Sequence, residues 1–304
     1  MAWRLLQPFF FSESRPMPVP HVQARCPSGD VELAYRLVGT GAAPRAEPVV
    51  FIHGLSYFSY DWVDFGAQLC GQERAGCAMD MRGFGDSSCS PGKDYTIPTM
   101  AQDIENLLDH LGWRHAILVA HSMGGRGATC LAASRPERVA ALVLVDWSPE
   151  NAPAGSRRVA STVAGTPDSF PSVEAAMRYF GADPDTPAAS RLRPRFEAYL
   201  REVPGGYALK RDPYFRDQFR RQLETGEKPR HGVDLWRALG EVAVPTLVLR
   251  GTRSDLFAAE TLPVVQACNP RLRTREIEGG HHIAGENPDG VLEAIQTFLS
   301  QESL

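Results

Sequence analysis

The chain has 304 residues, of which 43% are hydrophobic and 22% charged, and its formal net charge is −4. That length can bury a large core without covalent staples, and a mildly acidic balance removes any general pull toward nucleic acid or an anionic membrane. The six cysteines (Cys26, Cys70, Cys77, Cys89, Cys130, Cys268) are scattered, with no C-x-x-C pair and no metal-ligand spacing. Reduced thiols in a cytoplasmic protein are therefore expected, rather than a disulfide framework or a metal site.

Residues 1–20 contain Phe9, Phe10 and Phe11, but Gln7 and Pro8 interrupt the apolar run and no small-x-small cleavage site follows. The segment reads as an N-terminal arm packed on the body of the protein, not as a targeting signal. Val31 to Val38, after the Ser28-Gly29-Asp30 turn, reads as an antiparallel starter strand. Pro48 to Ile52 and Cys77 to Met81 are short and apolar, as buried parallel strands should be. Thr99 to Leu111 places Met100, Ile104, Leu107, Leu108 and Leu111 on one helical face. A strand over Ala116–Ala120, a helix over Met123–Ala133 and a strand over Ala140–Val145 follow. Strands over Pro245–Arg250 and Leu272–Ile277 and a helix over Gly290–Leu299 close the chain. This alternation predicts an α/β domain with a mostly parallel sheet and crossover helices. Between 147 and 240 the alternation stops, with prolines at 149, 153, 167, 171, 184 and 187. An insertion of that size should form a helical cap over the carboxyl ends of the strands. The expected organisation is an arm over 1–20, a core built from 21–146 and 241–304, and a cap over 147–240.

The strongest chemical signal is Leu118-Val119-Ala120-His121-Ser122-Met123-Gly124-Gly125, a strand that runs straight into a helix. A serine at such a junction sits in a strained turn that lifts its Oγ out of the sheet, and the flanking small residues, here Ala120 and Gly124, allow the close approach this requires. An oxyanion hole needs two backbone N–H groups, one after the nucleophile and one after the third strand. Met123 and Leu55, the latter in Phe51-Ile52-His53-Gly54-Leu55, are the expected donors. His53 is expected to organise that loop at the edge of the substrate site rather than to act as the base. The general base is expected in the glycine-rich Glu278-Gly279-Gly280-His281-His282 loop, where backbone freedom lets an imidazole reach the serine. Two acids at strand ends could orient it, Asp146 and Asp255. Both satisfy the order serine, acid, histidine. Asp255 is preferred because it occupies the customary position between nucleophile and histidine. Trp147, directly after a strand, is expected either in the substrate pocket or as packing at the cap hinge.

Together these segments resemble the α/β-hydrolase superfamily, particularly its cap-bearing esterase, lactonase and haloperoxidase-like branches. The resemblance rests on His53-Gly54, Asp80-Met81-Arg82-Gly83-Phe84-Gly85-Asp86-Ser87, the Ser122 elbow, Arg250-Gly251-Thr252-Arg253-Ser254-Asp255, and Gly280-His281 followed by Glu286 and Pro288. It selects His281 over His282 and implies an eight-stranded, mostly parallel sheet with helices on both faces and an inserted helical cap. It also implies a structural turn, not a catalytic one, for Arg82 and Asp86. A serine rather than an aspartate nucleophile points away from the related dehalogenases and epoxide hydrolases. The expected activity is hydrolysis of a small carboxylic ester or lactone through an acyl-enzyme on Ser122, Asp255 and His281. Amide or carbon–carbon bond hydrolysis, acyl transfer, and a non-catalytic binding role are the alternatives.

The remaining expectations are few. No phosphate-binding glycine loop is present, so no cofactor is expected; the expected partner is a small acyl substrate, and the expected state is a monomer or homodimer. From Arg191 to Arg230 the cap carries eleven basic and six acidic residues. A cap arginine gripping a substrate carboxylate is one reading. Solvated helices with i,i+4 pairs are the preferred one.

Overall fold

The computed structural model describes residues 21–39, 46–55, 57–187, 189–227 and 232–304; the predicted arm over 1–20 lies outside them. The first half of the core comprises β1 (Val22–Ser28), β2 (Val31–Val38), β3 (Val49–Ile52), α1 (Val63–Cys70), β4 (Gly76–Met79), α2 (Ile97–Leu111), β5 (Ala116–His121), α3 (Gly124–Ser134) and β6 (Val139–Val145). The inserted segment contributes α4 (Pro153–Ala164), α5 (Val173–Tyr179), α6 (Ala189–Tyr199), β7 (Leu200–Val203), β8 (Gly206–Leu209) and α7 (Pro213–Thr225). The chain then returns through α8 (Leu235–Glu241), β9 (Thr246–Gly251), α9 (Thr261–Cys268), β10 (Arg273–Ile277), α10 (Ile283–Glu286) and α11 (Pro288–Gln301).

The eight-stranded sheet has the order β1-β2-β4-β3-β5-β6-β9-β10. β2 runs antiparallel to β1 and β4, and the pairs from β4 to β10 are parallel. β3, β5 and β6 are apolar and almost wholly buried, because helices cover both faces of the sheet. One apolar layer joins the sheet to α2, α3 and α8 and the other joins it to α1 and α11. In α2, Ile104, Leu107 and Leu108 are at most 1% exposed. Each such side chain stabilises the fold by about 1.5–3 kcal/mol.

Two features differ from the sequence reading. β1 is an edge strand whose polar alternation and Pro27 weaken its signal, and proline is tolerated there. The insertion is not purely helical, since β7 and β8 form an antiparallel hairpin. The insertion has its own apolar cluster around Phe170, Val173, Met177 and Phe196. By contrast α8, within the predicted cap range, packs its Leu235 and Leu239 into the core layer.

Strand order reverses between β3 and β5, and the crevice beyond the carboxyl ends at such a point is where open α/β sheets bind ligands. The cysteines are all unpaired thiols. No helix among the described residues is long and apolar enough to cross a membrane.

Candidate active site

Ser122 lies between β5 and α3 with φ +50°, a left-handed conformation that a serine adopts only under constraint. The constraint is visible in its neighbours. A Cβ added to Gly124 would stand 2.6 Å from the His53 carbonyl oxygen, and one added to Gly54 would stand 3.0 Å from the Ser122 Cβ. The turn therefore presses against the end of β3, and only glycine fits on each side of the contact. This closeness brings the loop carrying Leu55 beside the start of α3, where Met123 is the helix N-cap. The free N–H groups of a first helical turn favour negative charge at that spot.

Three side chains form a hydrogen-bonded chain. Ser122 Oγ is 2.9 Å from His281 Nε2, and His281 Nδ1 is 2.6 Å from Asp146 Oδ2. The carboxylate can only accept, so Nδ1 carries the proton and Nε2 is left to accept from the serine hydroxyl. Asp146 is fully covered, and two further donors hold it: Gly251 N at 2.7 Å and Ser254 Oγ at 2.5 Å. Like Ser122 it has a positive φ, +46°.

The preference for Asp255 as the orienting acid is thereby overturned. Asp255 is instead gripped in a two-point pair by Arg158 of α4, at 2.5 and 2.7 Å. That guanidinium holds the Asp255 carboxyl below its usual range. The end of β9 and the loop after it still hold Asp146, through Gly251 and Ser254 rather than through Asp255.

The remaining histidines have separate duties. His53 is fully buried; its Nε2 accepts from Met81 N at 2.9 Å, so Nδ1–H donates to the Gly54 carbonyl at 2.7 Å. It holds the loop from behind and presents no surface to a substrate, which corrects its placement in the pocket. His121 donates from Nε2 to the His281 carbonyl at 2.9 Å and fixes the histidine loop. Burial, then the nearby His281 ring, lower its pKa to about 3, so it is neutral. His282 stacks on Tyr57 with ring centroids 4.2 Å apart, and burial keeps it uncharged. Trp147 is 4% exposed and packs against Gly125, so it fills the hinge instead of lining a pocket.

Arg82 and Asp86 occupy structural positions. Arg82 spans Asp103 at 2.6 Å and Asp30 at 3.0 Å, and Asp86 pairs with Lys210 of the cap at 2.7 Å. Between the inserted segment and the core lies an apolar cavity walled by Leu55, Tyr57, Val163, Phe180 and Phe196, with Arg195 and Arg211 reaching it. Tyr57, His121, Ser254 and these two arginines had no distinguishing signal in the sequence, because contacts between residues distant in the chain bring them together. Among the described residues no cluster of histidine, cysteine or carboxylates could hold a metal ion.

Residues 47–288 match the family model for the alpha/beta hydrolase fold. The chain is 28% identical to the 2-(acetamidomethylene)succinate hydrolase of Mesorhizobium japonicum, over 91% of this chain and 95% of that protein. It is 29% identical to the 3-hydroxybutyrate-oligomer hydrolase of Cupriavidus necator, over 91% and 96% of the two chains. A crystal structure of E-2-(acetamidomethylene)succinate hydrolase superimposes with a TM-score of 0.79 over 92% of this chain and 100% of that one, at 28% identity. These relatives are hydrolases, and the present chain belongs to the α/β-hydrolase fold family.

Proposed function

We propose that the protein is a serine hydrolase that cleaves a small carboxylic ester or lactone through an acyl-enzyme. His281 takes the Ser122 proton as the hydroxyl attacks the carbonyl, and Asp146 holds the imidazole in the correct tautomer and stabilises the imidazolium. The Leu55 and Met123 N–H groups receive the oxyanion. The leaving alcohol departs with the proton from His281, and water activated by the same imidazole then releases the acid. The observation that carries this reading is the unbroken Ser122–His281–Asp146 hydrogen-bond chain around a serine held at positive φ.

The test is Ser122→Ala with a para-nitrophenyl ester, together with fluorophosphonate labelling. Turnover should fall by about six orders of magnitude, and labelling of the wild type should reach one equivalent and vanish in the variant. Turnover near the wild-type rate in Ser122→Ala would end the proposal. Labelling without turnover of any acyl substrate would instead favour a binding protein. Amide hydrolysis on the same residues is the second reading. Its support is the relative named for a substrate with an acetamido group.

A further inference from the structure

The cavity under the cap is bounded on the core side by Leu55 and Tyr57 and on the cap side by Thr166 and Arg211, and no aspartate or glutamate lines it. Two guanidiniums reach it, in different electrostatic states. Arg195 is neutralised by Asp61 at 2.7 Å, with the Tyr199 hydroxyl at 2.7 Å from its Nη2. Arg211 is half-buried, and the one side-chain hydrogen bond it makes among the described residues goes to the neutral hydroxyl of Thr166, at 3.3 Å. No carboxylate of the described residues stands within 4.0 Å of it. Its cationic neighbour Arg216 is occupied by Asp168 and Asp217 and offers no neutralisation. Burial lowers the Arg211 pKa to about 10, so it stays cationic at neutral pH. A desolvated cation of this kind is costly unless an anion meets it. Its planar fork matches a carboxylate in geometry and charge.

We propose that the substrate carries a carboxylate on the end remote from its scissile carbonyl, and that Arg211 binds it on the cap side while an apolar segment fills the cavity between. The inference deepens the acyl-transfer reading above and rests on it for the scissile end alone. Half-esters of short dicarboxylic acids, or their amide equivalents, are the class that fits.

The experiment compares para-nitrophenyl half-esters of glutaric and adipic acid with their methyl-capped counterparts. The wild type should favour the free acids about tenfold or more in kcat/KM, as expected for a charge-assisted pair, and Arg211→Gln should bring that ratio close to one. Arg211→Lys, which keeps the charge but loses the fork, should give an intermediate ratio and covers the case in which the glutamine variant does not fold. Equal use of free and capped esters by the wild type would overturn the proposal, as would an equal loss on both in a folded Arg211→Gln. Calorimetric binding of glutarate and adipate to Ser122→Ala separates the two readings. Binding that Arg211→Gln weakens about tenfold, together with a wild type that turns over no ester, leaves the anion subsite standing and removes the hydrolase. Absence of binding removes the subsite.

Discussion

Ser122 and Asp146 are register partners. His121 of β5 pairs with Val145 of β6, so the residue after each leaves the sheet at the same level, and both leave it at positive φ. A histidine arriving from the loop after β10 meets one on each side. This is why Asp146 succeeds where Asp255 does not: it needs no excursion to reach the imidazole, whereas Asp255 lies four residues beyond the end of β9 and meets a cap arginine first. Two substitutions test the assignment. Asp146→Asn should lower kcat on a nitrophenyl ester by about 10⁴-fold, since an amide no longer selects the productive tautomer. Asp255→Asn should retain most of it. The reverse ranking would restore Asp255. The contact between Ser122 and His281 was legible because a strand–serine–helix junction and a glycine-rich loop are local patterns. The acid was not, because strand adjacency is a long-range fact and chain order admits both carboxylates.

At the scale of elements, the Asp80–Ser87 turn acquires a purpose that its residues alone do not reveal: it is the dock for the inserted segment. Gly85 N donates to the Lys210 carbonyl at 2.7 Å and Asp212 N donates to the Gly83 carbonyl at 2.7 Å, joining the end of the β7–β8 hairpin to the turn. Asp212 then caps α7 through Tyr214 N at 2.9 Å, pairs with Lys93 at 2.8 Å and accepts from the Tyr95 hydroxyl. One buried carboxylate thus ends the hairpin, starts a helix and fastens both to the core. Asp212→Ala should cost about 1–2 kcal/mol from the cap interaction alone. Its effect should be local, with faster hydrogen exchange in α7 and the hairpin, a raised KM and unchanged exchange in β3, β5 and β6. Exchange rising equally in those strands would show that the cap and the sheet unfold as one unit and would defeat this account of the dock.

For the whole molecule, the sheet and its two apolar layers were readable because buried parallel strands and amphipathic helices imprint their periods on the sequence. The edge strand β1 and the cap hairpin were not, since their residues are half exposed and their pairing partners supply the order. The fold also concentrates three imidazoles, His53, His121 and His282, at the seam between sheet and cap, and burial is the largest cause lowering the pKa of each. Around them stand Asp80 and Asp61 facing His53, and Tyr57, Arg195 and His281 facing the other two. None is given a carboxylate strong enough to offset its burial. The linkage therefore has a definite sign. Above pH 6.5, the ordinary histidine value, folded and unfolded chains hold these rings neutral alike and stability is at its full value. As pH falls below 6.5 the unfolded chain takes up protons that the folded chain refuses, and each ring removes about 1.4 kcal/mol per pH unit until its folded pKa is reached, near 3 for His121. Depressed aspartates, among them Asp86, Asp212 and Asp255, act in the same direction but only around and below their ordinary value of 3.8. Urea midpoints should accordingly decline already between pH 6.5 and 4.5, above the range in which these depressed aspartates titrate. His121→Gln, which keeps an N–H donor near the His281 carbonyl and cannot ionise, should flatten that decline by one proton's worth. A flat midpoint from pH 7 to 5 in the wild type would mean that these rings protonate in place, and that the seam admits water and charge.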